Sequence, residues 1–268
     1  MKKITILIPS SLTMEIADEK IRAYRVGQIA RAASIFRVDE IVIYRDRSFD
    51  DTAFIRELLE YANCPPHLKR QLFPISKNLR FAGIIPPLQT PSHPQHKSIE
   101  VGEFRMGLVK GRNVDIGLNE LAVIKKGTGE EAGVVTVRIT SIDPPEVEIV
   151  DPASIPCYWG YRVRVRKSLF KALRDRKLNG RVIFTSKTGD IVDIALLKDL
   201  KEYVDLDRIV LVFGSPSRGI EEILRDDNHT MAEFGYPVIN VVKQQGTATV
   251  RLEEALVATL TICNLFLS

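Results

Sequence analysis

The sequence predicts an α/β protein whose parallel sheet is interrupted by a small all-β barrel, and three observations support this prediction. Strand and helix patterns alternate at the start of the chain, as in α/β domains. Near its end, two continuous apolar runs, 209–213 and 237–242, are typical of parallel strands that are buried on both faces. Between these parts, short β-branched runs recur from 104 to 150 with turn residues between them, as in small barrels.

The opening segment predicts the order strand, helix, strand, helix. A short strand is expected over Ile4–Ile8, and apolar residues at helical spacing predict a helix over Asp18–Phe36. A strand over Glu40–Tyr44 precedes a helix over Asp51–Asn63. Pro65-Pro66 should end that helix, because proline cannot continue one.

A proline-rich linker leads from this segment into the predicted barrel. His93 and His96 lie in it, three residues apart, but no third metal-ligating side chain accompanies them. We therefore expect a solvated linker there and no metal site. The predicted domains are a discontinuous one, residues 1–92 with 160–268, and an inserted one, residues 93–159.

The inserted domain is expected to form a five-stranded, OB-like barrel. Its predicted strands are Phe104–Val109, Val114–Gly117, Leu121–Ile124, Val134–Ile139 and Val147–Val150. Turn signals such as Gly127–Gly129 separate them. OB folds often bind oligonucleotides through an open face and its loops. The alternative is a barrel that only braces a dimer or the main domain.

Composition and cysteine usage indicate a cytoplasmic protein. The chain has 268 residues, 45% of them hydrophobic, so it can bury a sizeable core. Its 38 basic and 34 acidic residues give a net charge of +4, a weak preference for an anionic partner. Three separated cysteines without a C-x-x-C pair indicate neither a zinc site nor a disulfide framework. No signal-peptide pattern is present, and the closing apolar helix is too short to span a bilayer. We expect no membrane contact.

Small-residue loops follow the two apolar runs near the end of the chain, Gly214–Gly219 after the first and 243–249 after the second. In open parallel sheets, ligands bind outside the carboxyl ends of the strands, and glycine lets the backbone come close to a ligand. Ordinary strand-to-helix turns are the alternative. The usual phosphate-binding loops are excluded, because Ile220-Glu221 stands where Lys-Ser or Lys-Thr is needed and no G-x-G-x-x-G follows a strand.

Several segments of the chain resemble motifs of the SPOUT methyltransferases. Val212–Gly219 resembles the second motif, and Asn240–Thr249 with the apolar helix after it resembles the third. Thr185–Gly189, expected as a loop, resembles the remaining loop of the same pocket. Ile21–Tyr44 resembles the opening of the archaeal and eukaryotic branch that has an inserted barrel. The resemblance covers nearly the whole chain. It implies a SPOUT-like α/β knot and homodimer that transfers a methyl group from S-adenosylmethionine to a nucleotide of rRNA or tRNA.

The resemblance also implies a set of site residues. Those expected to bind the cofactor are Thr185, Ser186, Gly189, Gly214, Ser215, Gly219, Asn240, Gln245, Gly246, Thr247 and Thr249. On the first helix, Arg22 and Arg31 are expected near the RNA acceptor as catalytic residues, and Arg25 is expected to bind RNA. A solvated charged face is the alternative. Two other functions stay open: an RNA-binding or assembly protein on this scaffold without turnover, and an enzyme that uses another nucleotide.

Positive charge is concentrated between Tyr161 and Lys177, which hold eight basic residues and one acidic residue, a net charge of +7. If the segment begins with a strand, Arg162, Arg164 and Arg166 share one face of it. Three arginines on one face repel each other unless an anion neutralises them. We expect an RNA backbone to do so; carboxylates elsewhere in the fold are the alternative.

The closing helix, which ends the chain after Arg251, is apolar on nearly every side. A helix of this kind is buried against more than one partner. In a SPOUT-like protein the second partner would be another subunit, so the pattern predicts a two-fold homodimer. Burial wholly within one subunit is the alternative.

Overall fold

The computed structural model describes residues 2–94, 98–126, 133–204 and 208–267. His96 and the predicted turn Gly127–Gly129 lie outside the described residues. The strands are β1 (Lys3–Pro9), β2 (Glu40–Tyr44), β3 (Phe104–Lys110), β4 (Asn113–Asp115), β5 (Ala122–Lys126), β6 (Val134–Ser141), β7 (Glu146–Ile149), β8 (Arg162–Arg166), β9 (Arg181–Ile191), β10 (Arg208–Val212) and β11 (Val238–Asn240). The helices are α1 (Glu19–Ile35), α2 (Thr52–Asn63), α3 (Pro66–Leu72), α4 (Leu169–Leu173), α5 (Ile194–Tyr203), α6 (Ile220–Arg225) and α7 (Leu252–Ile262).

The chain divides into two compact units. The first comprises residues 1–62, 77–86 and 161–268, and the second comprises 63–76 and 87–160. The segment 63–76, which contains α3, therefore belongs to the same unit as the barrel strands.

A six-stranded parallel sheet forms the first unit, with the order β11-β9-β10-β1-β2-β8. The strand β1 pairs with β10 on one side and with β2 on the other. Every residue of β2 is buried, as are the last four of β10. Burial on both faces explains why these strands read as continuous apolar runs. The predicted α/β class with a parallel sheet is confirmed.

The prediction of a loop over Thr185–Gly189 is wrong, because the strand β9 continues through these residues. The segment nevertheless leaves the ladder with the neighbouring strand β11. Phe184 pairs with Val238, whereas the next residue of β11, Ile239, pairs with Asp190. Such a register shift is a bulge. It lies at the carboxyl edge of the sheet, where the strand β10 ends beside it.

The second unit contains a closed five-stranded barrel with the order β3-β4-β5-β7-β6, so the predicted small all-β barrel is confirmed. The pair β5–β7 is parallel, and the other pairs are antiparallel. Its core consists of Val114, Ile116, Ala122, Val135, Val137, Ile139 and Val147. Gly107 of β3 has a packing role, since a Cβ there would lie 2.5 Å from a methyl carbon of Val114.

The helix predictions hold for the long helices. Asp18 caps α1 by accepting hydrogen bonds from the backbone N–H groups of Lys20 and Ile21. The helix α2 ends before the prolines, and Pro66 then begins α3, a helix that the sequence did not predict. A π-helical turn, Cys263–Leu267, continues α7. No helix within the described ranges is long and apolar enough to cross a membrane.

Candidate functional site

A cavity of about 420 Å³ opens at the carboxyl edge of the sheet. Three segments line it: the β9 bulge, the loop after β10 with the start of α6, and the loop after β11 with the start of α7. Most of the predicted cofactor residues lie on its wall, namely Thr185, Ser186, Gly214, Ser215, Gly219, Asn240, Gln245 and Thr249. The sequence thus brings residues that are far apart along the chain into one concave surface, where ligands bind in α/β proteins.

The other three predicted cofactor residues, Gly189, Gly246 and Thr247, do not line the cavity. A Cβ on Gly189 would lie 2.7 Å from the carbonyl oxygen of Val238, so this glycine lets β9 and β11 approach. The Thr247 hydroxyl donates to the carbonyl of Thr249 at 2.9 Å and shapes its own loop. No atom lies within 4 Å of a Cβ built on Gly246.

Asn240 joins two walls of the cavity. Its side-chain N–H donates to the Lys187 carbonyl of the bulge at 2.9 Å, and its side-chain oxygen accepts from the Val242 N–H at 2.9 Å. The Thr185 hydroxyl adds a third tie, donating to the Val212 carbonyl at 2.8 Å. Each functional group of the Asn240 amide therefore makes a hydrogen bond within the protein, and these two bonds connect the bulge to the loop after β11.

The loop Gly214–Gly219 is held by its own polar groups. The Ser215 N–H donates to the Arg218 carbonyl at 2.9 Å, and the Ser215 hydroxyl accepts from the Arg218 N–H at 3.0 Å. A Cβ on Gly214 would lie 2.9 Å from that same carbonyl oxygen, so this tight turn requires glycine. Gly219, in contrast, lines the cavity with open space where its Cβ would be.

Arg218 ties this loop to the end of β2. Its guanidinium lies 2.5 Å from a carboxylate oxygen of Asp46 and 2.9 Å from one of Asp226. The Asp46 side chain is completely buried and also accepts from the Ser11 hydroxyl at 2.6 Å. Sequence reasoning missed this group, because Asp46 lies far from Arg218 in the chain.

A second tie comes from Tyr44, the last residue of β2. Its hydroxyl donates to the Phe213 carbonyl at 2.6 Å, just before the loop begins. Burial raises the pKa of Tyr44 well above its usual value, and the nearby Asp46 carboxylate acts in the same direction. The phenol therefore stays neutral and remains a donor to this carbonyl.

The predicted catalytic and RNA-binding arginines of α1 line neither this cavity nor a second one at the carboxyl ends of β2 and β8. Arg22 forms an ion pair with Asp51, and its guanidinium lies 4.9 Å from the centre of the Phe54 ring. Arg25 lies 3.4 Å from Glu253 of α7. Arg31, farther along α1, is half-buried. Within its own chain, the Arg22 side chain is thus occupied by a carboxylate and an aromatic ring.

The cavity suits a ligand of nucleoside size. Pockets for small molecules have volumes of about 300–1,000 Å³ and combine apolar walls with a few polar groups. Here Phe213, Ile239 and Leu252 supply apolar surface, and the loops supply hydroxyl and backbone groups. The described residues contain no cluster of three side chains that could hold a metal ion.

Comparison with known proteins identifies the family. The family described as "Putative RNA methyltransferase" matches residues 3–263. The chain belongs to this family of RNA methyltransferases. The predicted membership of an RNA methyltransferase family, the RNA methyltransferase function and the transferase class are thereby confirmed.

Relatives match over nearly the whole methyltransferase. A protein of Haloarcula marismortui is 32% identical over 97% of this chain and 98% of its own length. The 28S rRNA (uridine-N(3))-methyltransferase of Homo sapiens is 29% identical over 96% of this chain and 76% of its own length. A solved structure concerned with 2-OH methylation of C/U34 on tRNA aligns over 98% of this chain and 97% of its own, with 11% identity and a TM-score of 0.42. At that similarity it carries no argument about this chain.

In the methyltransferase, two of the three arginines on β8 are paired with carboxylates. Arg164 lies 2.5 Å from Glu40, a buried residue of β2, and Arg166 forms an ion pair with Asp175. Burial acts to raise the pKa of Asp175, but hydrogen bonds, including one from Arg166, outweigh it and lower that pKa below its usual value. Arg162 is exposed and has no ion pair within the described residues. RNA binding by these arginines stays a prediction, for which Arg162 is the accessible candidate.

We expect Arg164→Gln to lower the free energy of unfolding by about 1–3 kcal/mol, because it removes a partner from a buried carboxylate. Arg162→Gln is the matched control on the same strand face and should change stability by less than about 0.5 kcal/mol. Chemical denaturation of both variants checks this. Equal stability of the two would contradict the structural role of the Arg164–Glu40 pair.

Proposed function

We propose that this methyltransferase uses S-adenosylmethionine to methylate N3 of a uridine in large-subunit rRNA. The observation that carries the proposal is the match, over 96% of this chain, to 28S rRNA (uridine-N(3))-methyltransferases of fly, mouse and human. The family match, over residues 3–263, includes the segments that line the cavity. The cavity itself supports the proposal, because it offers a nucleoside-sized space beside glycine-containing loops.

Residues of three segments would hold the methyl donor. Gly219 leaves room that a side chain would fill, and the Ser215 and Thr185 hydroxyls lie on the same wall. Apolar side chains such as Leu252 would cover an adenine face. When bound, S-adenosylmethionine supplies a methyl group that is already activated on a sulfonium. The protein's contribution is then largely positioning, which can lower a barrier by roughly 7–11 kcal/mol.

Methylation at N3 replaces the imino hydrogen of uracil, so a proton must leave the base. The acids on the cavity wall are already engaged in hydrogen bonds. Glu221 accepts from the Met231 N–H at 2.8 Å and lies 3.2 Å from Arg225, and Glu222 accepts from the Gly219 N–H at 3.2 Å. We therefore assign no general base among the wall acids of this chain.

We further propose that a second copy of the chain completes the site. The side chains of Val257, Leu265 and Phe266 on α7 and its π-helical turn are exposed, as are those of Ile21 and Tyr24 on α1. Large apolar side chains on adjoining helices favour an interface between subunits. In such a dimer, Arg22 and Arg31 would serve the cavity of the other chain. Light scattering should give the mass of two chains, and the mass of one would contradict the proposal.

The barrel is proposed to brace the fold more than to bind RNA, although its strand order suits an OB-like domain. Three of its surface cations are paired with acids: Arg138 lies beside Glu148, Lys125 lies 2.9 Å from Glu146, and Lys110 lies 3.3 Å from Asp115. A cation that already has an acidic partner releases fewer counterions when it binds a phosphate backbone, so it adds less to RNA affinity. The nearest feature to a stacking platform is Phe104, which contacts Trp159 edge to face at 6.4 Å.

The direct test is methyl transfer from labelled S-adenosylmethionine to ribosomal RNA, followed by nucleoside analysis of the product. We expect N3-methyluridine from large-subunit rRNA. Label in another base or on ribose would contradict the proposed acceptor atom. RNA binding without any transfer would favour the alternative of an assembly protein on this scaffold.

A further inference from the structure

A second cavity, of about 520 Å³, lies at the carboxyl ends of β2 and β8. The helix α6 separates it from the first one. Residues Ile220 and Glu221 at the start of α6 line the first cavity, whereas Ile223 of α6 and Asp226 just after it line the second. Both cavities therefore open along the same edge of the parallel sheet, which is the edge where ligands of α/β proteins bind.

Four aspartates line the second cavity, and each already has a partner. Arg218 forms ion pairs with Asp46 and Asp226. Two further pairs stand on the rim: Arg47 with Asp227 at 2.9 Å, and Arg45 with Asp50 at 3.4 Å. Three arginines thus face four aspartates, which leaves a net charge of −1 among these paired groups. The two lysines that also line the cavity exceed this charge and bring the sum to +1.

The remaining charged residues of this cavity are Lys167 and Lys171. Both side chains are exposed, and neither forms an ion pair within the part of the chain that the structure describes. Lys167 follows β8 directly, Lys171 lies in the first turn of α4, and both residues line the same concave surface. Lys171 also lies 5.7 Å from the Phe170 ring centre, which keeps its stem against the protein.

We propose that the second cavity binds phosphodiester groups of the RNA strand through Lys167 and Lys171. The proposal rests on the proposed function for the identity of the anion as RNA. It relocates backbone binding from the arginines of β8, two of which are paired with carboxylates, to the lysines that follow that strand. An RNA held there would pass along α6 toward the methyl-donor cavity. Lysine is suited to this role, since it binds phosphate as a point charge without fixed geometry.

The test is the salt dependence of binding to a uridine-containing single-stranded RNA oligonucleotide, measured by fluorescence anisotropy. Each phosphate contact contributes about 0.7 to the slope of log affinity against log salt for single strands. The Lys167→Gln/Lys171→Gln variant should therefore flatten the slope by about 1.4, at about 0.7 for each lysine. Lys167→Arg/Lys171→Arg keeps both charges and should keep the wild-type slope.

The matched control is Lys198→Gln/Lys201→Gln, which removes the same charge from exposed positions on α5, a helix that lines neither described cavity. Its slope should equal that of the wild type. An unchanged slope in the first variant, or the same flattening in both glutamine variants, would overturn the proposal. So would a first variant that loses affinity for inorganic phosphate but keeps RNA affinity, because the site would then serve a free anion.

Calorimetry with S-adenosylmethionine separates this inference from the proposed function. All three variants should bind the donor as the wild type does, because the lysines lie outside the first cavity. A wild-type protein that binds no donor would refute the proposed function and leave the salt-slope comparison intact as a test of the RNA site.

Discussion

Replacing Gly219 by valine is expected to abolish most of the binding of S-adenosylmethionine while leaving the fold intact. Gly219 lines the first cavity, and no protein atom lies within 4 Å of a Cβ at this position. Its backbone is extended, with φ −72° and ψ 166°, so valine adopts it without strain. The added side chain meets only the ligand. Overpacking costs typically about 1–3 kcal/mol, which corresponds to roughly 5- to 150-fold weaker binding.

Calorimetry and a melting curve on the same sample check this prediction. Gly83→Val is the matched control, since a Cβ there also meets no atom within 4 Å and Gly83 does not line the cavity. Donor affinity that is unchanged in Gly219→Val would contradict the cavity assignment. Gly246→Val discriminates further: the motif resemblance predicts a loss of affinity, whereas the position of Gly246 outside the cavity wall predicts none.

Replacing Arg218 by methionine should cause the largest loss of stability among the substitutions considered. The change leaves the Asp46 carboxylate, which is completely buried, without its cation. Breaking a buried ion pair by removing one partner costs about 3–5 kcal/mol. Because Arg218 also pins the loop Gly214–Gly219 to β2, donor affinity should fall in the same variant.

The control is Arg47→Met, which breaks the ion pair between Arg47 and Asp227 at the second cavity. The Arg47 side chain is 70% exposed, and exposed pairs contribute about 0–1 kcal/mol. Adding Asp46→Asn to Arg218→Met should recover part of the lost stability, because no buried charge is then left unpaired. Equal losses for Arg47→Met and Arg218→Met in denaturant unfolding would refute the special role of Asp46.

The strands of the parallel sheet were predictable because strands that are buried on both faces have continuous apolar sequences. The strand β2 matches its predicted bounds, Glu40–Tyr44, and the barrel strands lie within a few residues of theirs. Short helices such as α4 and α6, with one or two turns each, offer too few residues for a helical period to stand out.

What the sequence did not reveal depends on pairing between distant segments. The bulge Thr185–Gly189 is a strand rather than a loop because β11, far along the chain, pairs on both sides of it. The ion pair of Arg164 with Glu40 and that of Arg218 with Asp46 each join segments more than a hundred residues apart. The arginines are evident from the charge pattern of the sequence, but only the fold shows which of them are paired with carboxylates.

Photolabelling tests the central claim most directly, namely that the methyl donor occupies the first cavity. Radiolabelled S-adenosylmethionine is irradiated with the protein, and the labelled peptides are mapped with and without excess unlabelled donor. We predict saturable label within 185–188, 213–222 or 239–252, the segments that line this cavity. Saturable label within 45–50 or 167–171, which border the second cavity, would contradict the account.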